Sequence, residues 1–134
     1  MSDPQEILEY SSTVAVVGCS KDPSKAAHEI PRQLQEAGFR VIPINPTATE
    51  ILGEQAYASL ADIPERVDLV DVFRPAAETP GVVEQAVAIG ARAVWLQLGI
   101  ASPEARRIAE EAGLDYVEDR CAGVERRRHG IVKA

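Results

Sequence analysis

Apolar positions along this chain fall into two alternating rhythms. Thr13 to Val17 is an unbroken β-branched and apolar run ending at Gly18, the pattern of a strand buried on both faces of a parallel sheet. From His28 to Ala37 the rhythm becomes helical, with Ile30, Leu34 and Ala37 on one face and Gly38 as a left-handed stop, which places Pro31 near the helix start. Arg40 to Ile44 is a second strand closed by Asn45-Pro46, and Ser59 to Pro64 predicts one capped helical turn before a third strand, Asp68 to Phe73. Thr79, as N-cap, and Pro80 open a helix with Val83, Ala86, Val87 and Gly90 on one face, and Ala93 to Leu98 is the fourth strand. Ser102-Pro103-Glu104 opens another helix, carrying Ala105, Ile108, Ala109 and Ala112 to a stop at Gly113, and Leu114 to Val117 is the fifth strand. A short leading helix begins at Asp3-Pro4 and runs to Tyr10.

Strands alternating with helices over short connections require a parallel sheet with right-handed crossovers. The expected fold is α/β, a single Rossmann-like doubly wound parallel sheet of about five strands in the order 3-2-1-4-5, forming one domain over residues 1–134. Ligands of such sheets bind beyond the carboxyl ends of the strands. The segments that matter are therefore Gly18 to Lys25, Asn45 to Thr49, Arg74 to Thr79 and Gln97 to Ile100.

Composition narrows the partners. A net charge of −7 argues against a nucleic-acid-binding face, which needs many Lys and Arg contacts to phosphate. A small anionic ligand needs only local positive potential and free backbone N–H groups. No apolar run approaches the roughly 18 residues of a membrane span, and the acidic start Met-Ser-Asp-Pro-Gln-Glu carries no targeting pattern, so the expected location is the cytoplasm. Cys19 and Cys121 lack metal-ligand spacing, no metal site is expected, and neither thiol is expected to be bonded. The basic stretch Glu125 to Gly130 reads as a solvated helix end.

The first loop, Gly18-Cys19-Ser20-Lys21-Asp22-Pro23-Ser24-Lys25, has a glycine for a tight turn, a serine hydroxyl, and two lysines ahead of a helix N-terminus, the equipment for holding a phosphate. Equally, Gly18 does no more than end a strand and the lysines are solvated. The dinucleotide fingerprint needs three glycines and an acid after the second strand; this chain has one glycine and the neutral Asn45-Pro46, and Thr47 follows where an NADP-binding protein needs arginine. After the third strand, Arg74 of Phe73-Arg74-Pro75 is placed to meet a phosphate or stack beside an adenine; alternatively Phe73 is core and Arg74 pairs with Glu78. Cys19, near a helix start, is either a reactive thiol or a small buried apolar residue. His28 and His129 have no nucleophile at a catalytic spacing, and Glu118 and Asp119 point to opposite faces of their strand.

Taken together, VAVVGCS with Pro23 and a nearby lysine, GFRVIPINP, ILGEQAYASLADIP, VDLVDVFRP, AVWLQLGI and DRCAGVE resemble the stand-alone CoA-binding proteins of bacteria and archaea. That family is similar in turn to the CoA-binding N-terminal domain of the succinate–CoA ligase α-subunit. The resemblance implies coenzyme A as the ligand, with Gly18, Cys19 and Ser20 as the phosphate loop and Lys25 beside it. It further implies that Asn45, Pro46 and Thr47 line the adenosine side and that Phe73, Arg74 and Pro75 close over the nucleotide. Relatives commonly carry lysine where Thr47 stands, which implies either a low affinity or a substitute charge from Lys21, Lys25 or Arg74. The ligase needs a further domain with a phosphorylated histidine, and ligase activity is not expected of this chain alone. The resulting expectation is a non-catalytic sensor, carrier or regulatory module for CoA or an acyl-CoA, with no nucleic-acid or membrane partner. The alternatives are an NAD(P)-dependent oxidoreductase, or a scaffold that has lost its ligand.

Overall fold

In the computed structural model, which describes all of residues 1–134, the strand-and-helix alternation resolves into a five-stranded parallel sheet with helices on both faces. The elements run α1 (Pro4–Tyr10), β1 (Thr13–Val17), α2 (Ala26–Glu36), β2 (Arg40–Ile44), β3 (Glu50–Ile51), β4 (Glu54–Gln55), β5 (Leu69–Val72), α3 (Thr79–Ala88), β6 (Ala93–Leu96), α4 (Pro103–Glu111), β7 (Asp115–Val117) and α5 (Ala122–Arg128). Single 3-10 turns at Leu60–Asp62 and Ala76–Glu78 precede β5 and α3.

The sheet order is β2-β1-β5-β6-β7. Counted over the five long strands this is 2-1-3-4-5, which corrects the expected 3-2-1-4-5: the third long strand, β5, lies beside β1 on the side away from β2. Two residues explain it. Pro43 has no N–H to give, and in β2 its carbonyl faces outward to accept from Tyr57 N at 3.0 Å, so β2 suits the edge. Asp68, just before β5, accepts from the backbone of Ser12 and Thr13 at 2.9 and 3.0 Å, which ties the start of β5 to the start of β1. The connection from β2 to β5 then carries Leu60 across one face of the sheet, a right-handed crossover.

Because the chain moves one way from β1 to β2 and the other way from β5 to β7, right-handed connections put α2 on one face of the sheet and α3 and α4 on the other. One cluster of 16 buried residues joins Val14, Val16, Leu69 and Trp95 to α1, α2 and α5, and another of 16 joins Ala15, Val70, Val72 and Val94 to α3 and α4. The equal coverage accounts for strands that are apolar on both sides.

Three local expectations are corrected. The first crossover helix begins at Ala26, not His28, and Pro31 lies inside it rather than near its start. Thr79 is the first helical residue of α3 rather than its N-cap; its hydroxyl donates to Ala76 O, while Val87 on the same helix faces solvent. The β3–β4 hairpin was not anticipated. Its turn, Leu52-Gly53, takes positive φ at both positions (56° and 75°), and leucine hides the signal that Asn-Gly would give.

Candidate functional site

The order 2-1-3-4-5 reverses direction between β1 and β5, the switch point at which sheets of this kind carry a crevice at the carboxyl edge. A cleft of about 560 Å³ occupies it. Gly18, Cys19, Ser20 and Lys25 come from the loop after β1, Asn45 and Pro46 from the end of β2, and Phe73 and Arg74 from the end of β5. All eight were singled out from the sequence. Thr47 is exposed outside the cleft, and Pro75 lines a second cleft on the other side of Phe73.

The loop after β1 is held from every side. Gly18 sits at φ +86°, and a Cβ there would stand 2.7 Å from Phe73 O, so the loops after β1 and β5 touch at a point only glycine fits. Ser20 N–H donates to Ala27 O at 3.0 Å. That carbonyl is available because the residue four further on is Pro31, whose ring nitrogen cannot claim it. His28 Nδ1–H donates to Ser20 O at 2.7 Å, and Asp22 N–H donates to Ser20 Oγ at 3.0 Å. Asn45 spends its amide inside the protein, donating to Cys19 O and accepting from Thr47 N–H, Thr47 Oγ and Ala48 N–H. Asn45 therefore joins the loops after β1 and β2, and Thr47 is turned away from the cleft by its bonds to Asn45.

This geometry suits an anion. The N–H groups of Ala26 and Ala27, in the first turn of α2, have no carbonyl partner in the chain, and the dipole of this eleven-residue helix adds positive potential beside Ser20 and the exposed Lys25. Cys19 is buried and unbonded, and burial first, with the nearby Asp71 second, pushes its thiol up to about 12, which favours the neutral form. Arg74 reaches Glu78 in a bidentate pair, 2.9 Å from Nη2 to Oε2 and 3.2 Å from Nε to Oε1, so the sequence alternative of an Arg74–Glu78 pair is the one seen.

Other lining residues escaped the sequence reading. Ala58 and Ser59 arrive on the segment that folds back along β2 after the hairpin, and Val82 and Gln85 come from the flank of α3. On the far side of Phe73 lies the second cleft, about 460 Å³, walled by Ile30, Pro75, Leu98, Ile100 and Cys121 among others, with Gln97 and Arg74 as its polar side chains. Beneath Gln97, Asp71 sits wholly buried on β5 between Val16 and Trp95. It accepts from Gln97 Nε2 on Oδ1, its Oδ2 has no partner, and burial pushes its carboxyl up to about 7.

A doubly wound parallel sheet with helices on both faces and a crevice at its switch point defines a Rossmann-like α/β fold. Residues 12–127 match the family described as CoA binding domain, and the chain belongs to that family. YneT of Bacillus subtilis, itself uncharacterised, is 37% identical over 96% of this chain and 93% of its own length. Acetate–CoA ligase [ADP-forming] I of Archaeoglobus fulgidus is 34% identical over 89% of this chain, which spans only 19% of that enzyme. The structure of cell-free ID.343 from Thermus thermophilus superposes with a TM-score of 0.90 at 44% identity, over 96% of this chain and 99% of that one.

Proposed function

We propose that this protein binds coenzyme A, or a CoA thioester, across the carboxyl edge of its sheet and holds it without transforming it, as a sensor, carrier or regulatory module. The reading is carried by one observation: the loops after β1, β2 and β5 converge on a single cleft at the N-terminus of α2. Gly18, Cys19, Ser20 and Lys25 would hold the phosphates, with backbone N–H groups and the helix dipole as the main donors. Pro46 and the apolar flank of Val82 would take the adenosine, and Phe73 and Arg74 would close over it, Arg74 exchanging Glu78 for a phosphate oxygen. The neutral, internally bonded Asn45 after β2 supports CoA over NAD, because it leaves no carboxylate for ribose hydroxyls. Membership of the CoA binding domain family supports the ligand, and the high pKa of Cys19 supports a holding role.

Isothermal titration with CoA, NAD and NADP at equal concentration tests this, with Arg74→Ala as control. Saturable binding of CoA alone, weakened about tenfold in the variant by loss of one charge-assisted contact, is the expected result. Binding of NAD or NADP in its place would overturn it, as would silence from all three ligands.

A further inference from the structure

The second cleft shares Ala27, Phe73 and Arg74 with the first but differs from it in chemistry. Its walls are largely apolar, with Ile30, Phe73, Pro75, Leu98, Ile100 and Cys121 facing the start of α2 at Ala26 and Ala27. The one buried polar side chain facing it, Gln97, is already engaged at both ends of its amide. Nε2 donates to Asp71, and Oε1 accepts from Ala122 N–H. Arg74 is the one cation on the rim and is engaged with Glu78. Leu98 stands 70% exposed at the mouth, one of few large apolar side chains left in solvent, and an apolar occupant would cover it. The shared residues make the two clefts neighbours, so a ligand anchored by its phosphates at the start of α2 would reach this cleft past Phe73.

We propose that the second cleft receives the acyl chain of a CoA thioester, and that the preferred ligand is an uncharged short- or medium-chain acyl-CoA rather than free CoA or a dicarboxylic ester. This rests on the CoA reading above. With the N–H groups of Ala26 and Ala27 at the α2 end of the cleft taken by the ligand's phosphates, a chain with a terminal carboxylate would meet no free cation there and would approach the buried Asp71, whereas each buried methylene strengthens binding about fourfold.

The test is a titration series of CoA, acetyl-, butyryl-, hexanoyl- and succinyl-CoA on the wild type and on Leu98→Asn, a change at an exposed position that leaves the fold intact. The expected result is stepwise tightening along the saturated series, at least about tenfold by hexanoyl-CoA, with succinyl-CoA no tighter than CoA. Leu98→Asn should bind CoA as the wild type does and lose most of the hexanoyl gain. A flat series on a protein that binds CoA overturns the acyl assignment alone and leaves the cleft to another occupant, such as a protein surface. A gain undiminished in Leu98→Asn overturns the placement. Failure of every thioester and of CoA removes the underlying reading as well.

Discussion

The loops on the two sides of the crevice are built to different standards. The loop after β1 is pinned by Ala27 O, His28 and Asn45, with Gly18 wedged against Phe73 O, so its N–H groups are aimed before any ligand arrives. The loop after β5 crosses the mouth with Arg74, Pro75, Ala76, Ala77 and Glu78 all exposed, and its side chains bond only within the loop, through the Thr79 hydroxyl to Ala76 O and the surface pair of Arg74 with Glu78. Pairs of that kind are worth about 0–1 kcal/mol. Preorganisation is thus concentrated where charge must be met at fixed positions, and adaptability where a larger and more variable part of a ligand passes. In binding terms, the first loop saves ordering entropy and the second adjusts its closure.

Asp71 gives the largest effect by which this contrast can be tested, because it lies under the β5 side. An unfolded aspartate titrates near 3.8, while in the fold this one titrates at about 7. Between those values the folded state holds a proton that the unfolded state has released, so stability falls as pH rises from about 4 to 7 and is level above. Asp71→Asn removes that slope. At pH 8 the variant should be more stable by about 2 kcal/mol, a discounted share of the ~4 kcal/mol that the displacement converts to. Urea unfolding of both proteins at pH 5 and pH 8 checks this. Equal pH dependence in the two would mean that the carboxylate finds a partner and that the β5 side is as well satisfied as the β1 side.

How much of this could be read from residues alone follows from what is local and what is not. The strand-to-helix rhythm, and the loops where chemistry had to lie, are local: Gly18 after Val14–Val17 and Arg74 after Leu69–Val72 announce themselves by contiguity. The strand order is not local. Pro43 carries the needed hint, since a residue without an N–H belongs on an edge, but within the apolar run Arg40 to Ile44 it reads as one more strand residue. The hairpin was hidden by Leu52 in a left-handed conformation. Ser59, Val82 and Gln85 reach the cleft from a returning segment and a helix flank, and no spacing in the chain reports such convergence. Pro31 was read as a boundary signal, yet within α2 it releases a carbonyl.

That carbonyl is the point where the pinned side can be loosened. Pro31→Ala restores an N–H four residues after Ala27, and the new donor competes with Ser20 N–H for Ala27 O. The helix gains a bond and a better helix former, so the melting temperature should change little. CoA affinity should fall about tenfold, or ~1.4 kcal/mol, as Ser20 drifts from its position. Amide exchange at Ser20 should accelerate in the ligand-free variant, a readout independent of which nucleotide binds. Unchanged exchange would show that Ala27 O serves both donors and that the proline has no part in the rigidity of the loop.

The smallest effect belongs to the adaptable side and has the opposite sign. Glu78 lines the first cleft and holds Arg74, so a ligand phosphate that takes Arg74 must displace a carboxylate and lie near its charge. Glu78→Gln keeps the shape, removes the charge and frees the guanidinium. CoA affinity should therefore rise about threefold, the order expected from releasing an exposed ion pair, and the increase should shrink as salt screens the charges. Titration in 20 and 300 mM salt reads both features. A fall in affinity would mean that Glu78 itself contacts the ligand, most simply through a ribose hydroxyl, and that the loop after β5 is a recognition element rather than a closure.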